Sequence, residues 1–156
     1  MQFEIREMKI LVLAFGDENC ASTWYRILQY KPLFDKDGIA FDHTPAREFK
    51  NFGSIPNYDL VILQKPILSL GKVRRISRLA KRFVYDADDR IWLRPFRRHG
   101  WIARIRINVR IRNIAKLAET CMAANSLIAR DLSGFGAEPA IAPMALGGRT
   151  WYPRQR

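Results

Sequence analysis

Short apolar runs that fail to alternate place the strongest constraint on this chain. Lys9 to Phe15 reads KILVLAF, and Leu60 to Leu63 reads LVIL. A strand with one wet face alternates apolar and polar residues. A run without alternation is covered on both faces, as in a parallel sheet flanked by helices. Between these runs the pattern changes. GDEN (16–19) is a turn cluster, Ser22 or Thr23 is placed to cap a helix, and Trp24, Ile27 and Leu28 give it an apolar face. Pro32 kinks or restarts that helix, and Gly38 closes it.

Further strands are expected at 39–43, 58–64, 82–86, 120–124 and 139–143. A basic amphipathic helix is expected over 70–81, with Val73, Ile76, Leu79 and Ala80 inward, and another helix over 126–135. Strands alternating with helices imply βαβ units. The predicted fold is therefore α/β: a Rossmann-like three-layer sandwich with a mainly parallel sheet of about six strands. The segment Arg104 to Arg112, RIRINVRIR, has the period of a strand. A helix over 101–118 is preferred because the stretch is long and a crossover is needed there, although it leaves apolar residues on two sides.

At 156 residues the chain is the size of one ordinary domain, and 48% hydrophobic residues suffice for a packed core. The boundary is placed at 146, with 147–156 read as the start of a linker. MQFEIREMKI lacks the apolar stretch of a secretory signal, which predicts a cytoplasmic protein. Cys20 and Cys121 have no metal-ligand spacing, and His43 and His99 form no motif, so no metal site is expected.

The net charge of +12 is localised. Residues 71–116 hold 15 basic and 3 acidic residues, whereas 1–70 hold 8 and 9. Such a segment suits an anionic partner, and its interleaved Tyr85, Trp92, Phe96 and Trp101 fit either a nucleic acid or a membrane surface.

In open parallel sheets the ligand lies outside the C-terminal ends of the strands. Gly16, Gln64, Lys65 and the stretch Asp86 to Asp89 all fall there. Helix-start N–H groups after Gly16, the hydroxyls of Ser22 and Thr23, and Arg26 are candidate phosphate donors. The loop lacks GxGxxG, so no dinucleotide fingerprint is present. Asp86, Asp88 and Asp89 fit three roles: divalent metal ligands, a general base, or binders of sugar hydroxyls.

Several segments occur in a familiar order: MKILVLAF, ASTWYRILQYKPLFDKDGI, YDLVILQKPI, KRFVYDADDRIW and MAANSLIARDLSGFGAEPAIAPMAL. The series, from Met8 to about Pro153, resembles the N-terminal half of a GT-B glycosyltransferase of the family 4 type. The resemblance implies an acceptor-side domain that transfers a sugar from a nucleotide-sugar donor, with retention of configuration, and without a metal or other cofactor. It implies Asp86, Asp88 and Asp89 as catalytic residues. Gly16, Ser22, Thr23 and Arg26 would face the donor phosphates, and Gln64, Lys65 and Asn125 the acceptor. The implied partners are a nucleotide sugar, a sugar or lipid-linked acceptor, and an anionic membrane surface, with nucleic acid not expected. The protein would then sit peripherally on the inner face of the membrane. The family's donor-binding domain, with its Glu-x7-Glu type motif, is not in this sequence and would have to be supplied in cis or in trans. The alternative is a non-enzymatic Rossmann-like module that binds an anionic membrane, nucleic acid or a partner protein through the basic 71–116 face.

Overall fold

The computed structural model describes residues 8–93 and 100–145. The unalternating runs become central strands. β1 (Met8–Ala14) pairs in parallel with β2 (Ile39–Pro45) on one side and β3 (Leu60–Gln64) on the other. β4 (Phe83–Ala87), β5 (Thr120–Ala123) and β6 (Pro139–Ile141) extend the sheet beyond β3. The spatial order is β2-β1-β3-β4-β5-β6, with every pairing parallel. The Rossmann-like α/β sandwich expected from the sequence is the fold observed.

Period-2 geometry sorts each strand between two cores. Leu11, Leu13, Val61, Leu63, Phe83 and Tyr85 point to one face. There they meet α3 (Leu70–Leu79), α4 (Trp101–Leu117) and α5 (Ser126–Gly134) through Val73, Ile76, Ile111, Ile114, Ile128 and Leu132. Ile10, Val12, Ala14 and Phe41 point the other way, onto Ile27, Leu28 and Phe34. Ile27 directly follows α1 (Ala21–Arg26), Leu28 lies in the 3-10 turn after it, and Phe34 belongs to α2 (Lys31–Lys36).

Local expectations need three corrections. α1 starts at Ala21, and neither Ser22 nor Thr23 caps it; Cys20 precedes the first turn without a side-chain cap. Trp24 is not on the apolar face but 43% exposed, because α1 ends at Arg26 and the spacing to Ile27 and Leu28 crosses the helix end. The strands at 39 and 82 are shifted or lengthened at their ends, to Pro45 and Ala87. The alternating segment is helical, as preferred, within α4. Cys20 and Cys121 are free thiols. Residues 147–156, His99 and Phe96 lie outside the described residues.

Candidate functional site

The strand order reverses direction beside β1. The chain leaves β1 toward β2, then returns on the far side as β3. Loops leaving the C-terminal ends of such strands diverge and open a crevice. The polar residues of this chain collect at that edge.

Strand parity decides which of them meet. Gln64 of β3 and Asp86 of β4 are register partners, so both point to the α1 face of the sheet. Ser22 and Arg26 lie one helical turn apart on α1, and both face down onto them. Arg26 Nε donates to both Asp86 oxygens, at 3.0 and 2.8 Å, and Nη2 donates to Oδ1 at 2.6 Å. Its Nη1 reaches the Ala142 carbonyl beyond β6 at 2.5 Å. Asp86 is wholly enclosed and Arg26 is buried. Burial displaces the Asp86 carboxyl above its usual range against the pull of Arg26. Arg26 is held more firmly protonated by its hydrogen bond to Asp86.

Gln64 links this brace to groups nearer the open edge, which lie just beyond β3 and β4. Gln64 accepts from the Phe15 backbone N–H at 2.9 Å and donates to Ser22 Oγ at 3.0 Å. Ser22 in turn donates to Asp88 Oδ2. Lys65 Nζ lies 3.4 Å from the Asp88 carboxylate, 3.5 Å from Ser22 Oγ and 3.8 Å from Asp89, with the Phe15 ring beneath it at 5.0 Å. Asp88 has a side chain only 5% exposed, and its Oδ1 accepts no hydrogen bond from the described residues. That oxygen is not left uncompensated: the Lys65 ammonium stands 3.4 Å from it and balances its charge without a well-formed hydrogen bond.

Lys65 is held in an uncommon backbone state, with φ of +76°. Two hydrogen bonds fix it there. Its N–H donates to the Asp86 carbonyl at 2.7 Å, and its carbonyl accepts from the Tyr85 hydroxyl at 3.0 Å. Tyr85 is fully buried, which pushes its ionisation far upward and keeps it a donor. Strain of this kind costs about 1–3 kcal/mol and persists where surroundings over-determine it. Here it turns the Lys65 ammonium back over the end of the sheet.

The remaining expected site residues are placed as follows. Gly16 and Thr23 bond each other: Gly16 N–H donates to Thr23 Oγ1, which donates back to the Gly16 carbonyl, both at 3.2 Å. A Cβ on Gly16 would lie 2.7 Å from Cys20 Cβ, so glycine is what permits this tight loop. Asn125 caps α5, its side-chain oxygen accepting from Ile128 N–H at 2.9 Å. The structure thus brings Ser22, Gln64, Lys65, Asp88 and Asp89 together. Arg26 and Asp86 form a buried brace beneath them, and Asn125 serves a helix start on the neighbouring strand.

Phe15 and Tyr85 support the cluster although neither is expected there from the sequence: Phe15 reads only as the end of a strand, and Tyr85 only as one of the aromatics of the basic segment. Phe15 also lines a cleft of about 290 Å³ with Arg47, Pro66, Ile67, Leu68, Ile91, Ile107 and Arg110. Its lining comes from loops after β1, β2, β3 and β4 together with α4, and its only polar members are the two arginines. No residue pattern within any one segment announces it. No protein-family model matches the sequence, and a search of curated proteins finds no match.

Proposed function

We propose that this chain is the acceptor-side domain of a two-domain GT-B glycosyltransferase of the family 4 type, in which a donor-binding domain completes the cleft. The observation that carries the reading is the Asp88 carboxylate just beyond β4, which accepts from Ser22 through Oδ2, pairs with the Lys65 ammonium at 3.4 Å and has a hydrogen-bond position unfilled on Oδ1. A sugar hydroxyl is a fitting donor for it. Asp88 then orients that hydroxyl or takes its proton as the oxygen bonds to the anomeric carbon of the donor and the nucleoside diphosphate departs. Ser22 fixes the carboxylate through Oδ2, and the Lys65 ammonium stands 3.4 Å from it. The Lys65 ammonium also offers positive charge toward a departing phosphate. Arg26 and Asp86 keep α1 seated on β4, so that Ser22 and Asp88 stay in contact.

The test uses the protein at the length its source cell makes it. That protein is incubated with a panel of nucleotide sugars, and release of nucleoside diphosphate is followed. Wild type should turn over at least one donor. Asp88→Asn should lose about 10²–10⁴-fold in turnover, the range for a positioned acid–base group, when assayed well below its own melting temperature, which falls because the buried Lys65 ammonium loses its partner. No turnover of any donor, or full activity in Asp88→Asn, sinks the reading.

A further inference from the structure

α4 carries two apolar faces, and the fold consumes one of them. Ile111, Ile114 and Ala115 are packed into the core, with Ile107 against it. Trp101, Ile102, Ile105 and Val109 point outward, 73%, 51%, 51% and 46% exposed. Residues 101, 105 and 109 follow the i, i+4, i+8 spacing, so they form a stripe along the outer side, with Ile102 beside it. Arg104, Arg106, Arg112 and Lys116 are exposed around it. No acidic residue occurs between Trp101 and Leu117. α3 packs against α4 and adds exposed Arg74, Arg75 and Arg78 on the same side of the sheet.

A solvated helix face does not need a tryptophan and three aliphatic residues in a row. An apolar stripe set in cations, with Trp at one end, has the composition of a helix lying in a lipid headgroup layer. We propose that the outer face of α4 seats this protein on an anionic bilayer, with the axis of α4 parallel to the membrane plane. The apolar stripe enters the acyl boundary, and the arginines meet lipid phosphates. Charge complementarity selects the occupant. The bilayer offers anionic headgroups and hydrocarbon together, whereas a nucleic acid offers no apolar surface to Ile102, Ile105 and Val109 and prefers aromatic stacking platforms. The helix lies on the membrane and does not cross it: no helix among the described residues is long and apolar enough to span a bilayer. The inference is independent of glycosyl transfer.

The experiment is co-sedimentation of the full chain with phosphatidylglycerol–phosphatidylcholine vesicles and with pure phosphatidylcholine vesicles, without any sugar nucleotide. A negative result therefore says nothing about the transferase reading. Wild type should bind the anionic vesicles at least about tenfold more tightly, and lose that preference as salt rises from about 0.15 M to about 1 M. The double variant Ile105→Asp, Val109→Asp alters two half-exposed positions and should keep its melting curve while losing about tenfold or more in binding. Arg106→Glu should weaken binding by about fivefold or more. Lys36→Glu makes the same charge change on α2, in the opposite layer, and should leave binding close to wild type. Three results overturn the proposal: no sedimentation with either vesicle, binding that ignores lipid charge, or undiminished binding by the Ile105/Val109 variant. A chain that dimerises through this face and leaves vesicles unbound overturns it as well.

Discussion

Replacing Arg26 by methionine tests the brace beneath the site. The substitution removes three hydrogen bonds from Asp86 and one from the Ala142 carbonyl while nearly conserving volume. Asp86 has no exposed surface, so its carboxylate is left with a charge that neither water nor protein balances. Removing one partner of a buried pair costs about 3–5 kcal/mol. A second route gives a consistent ceiling. The carboxyl can escape by taking up a proton, and holding an acid of ordinary pKa about 3.9 protonated at about pH 7 costs about 4 kcal/mol. At about pH 5 the same protonation costs only about 1.5 kcal/mol.

The variant should therefore be weakened by about 4 kcal/mol near neutrality, a fall of about 8–16 °C in melting temperature for a chain of this size. It should recover part of that loss on acidification. The sign follows from proton counting. With the folded-state pKa raised above the unfolded one, the folded state binds the extra proton in the intervening window, and stability rises as pH falls from 7 toward 5. In wild type, burial also raises Asp86 against the pull of Arg26, so the slope has the same sign but is shallower. Urea titrations at the two pH values measure both quantities. The double variant Arg26→Met, Asp86→Leu removes both charges and should recover most of the stability. A single Arg26→Met variant within about 1 kcal/mol of wild type at neutral pH, or a double variant no better than the single, would refute the assignment of this pair as a buried brace.

Two further outcomes follow from other groups. Asp131 accepts from Arg90 Nε and Nη2 and from Trp92 Nε1, at 2.7, 3.0 and 2.8 Å. Burial acts to raise its carboxyl, but these hydrogen bonds outweigh it and hold the pKa below the usual range. Its contribution is thus present above the ordinary carboxyl value of about 3.9 and lost as pH falls through the lower folded value. Asp131→Asn should cost about 1–3 kcal/mol at neutral pH and flatten the acid limb of the stability profile; an unchanged limb would place the acid sensitivity elsewhere. Gly16→Ala puts a methyl group 2.7 Å from Cys20 Cβ and should cost about 1–3 kcal/mol by overpacking. Cys20→Gly in the same chain should relieve that clash, and a melting curve that shows no such rescue would deny the close approach.

The sheet was legible because a parallel strand buried on both faces leaves a local mark. KILVLAF and LVIL could hardly be anything else, and the loops that follow them had to lie at one edge. The pairings inside that edge were not legible. Arg26 and Asp86 were both expected to face a ligand, yet they face each other. That outcome depends on the register Gln64↔Asp86 and on how α1 docks Ser22 and Arg26 over those strands, neither of which is a property of a single segment. The left-handed backbone at Lys65 left no glycine to announce it, because Tyr85 and the Asp86 carbonyl enforce it from the next strand.

RIRINVRIR shows why a strand-like pattern can belong to a helix. A step of two residues in a helix turns the chain by about 200°, so alternate residues fall on nearly opposite sides. The apolar series 105, 107, 109, 111 therefore divides. Ile107 and Ile111 turn toward the core, and Ile105 and Val109 turn away from it. In a strand the same period would gather all four on one face and leave the arginines on the other. The chain has no vacant sheet edge at this point and needs a crossover between two parallel neighbours, β4 and β5, so the helix prevails over the local preference. The cost of that choice is an apolar stripe that the described residues leave exposed. Arginines around the stripe, and the absence of acidic residues along the helix, are the grounds on which an anionic bilayer is proposed to cover it.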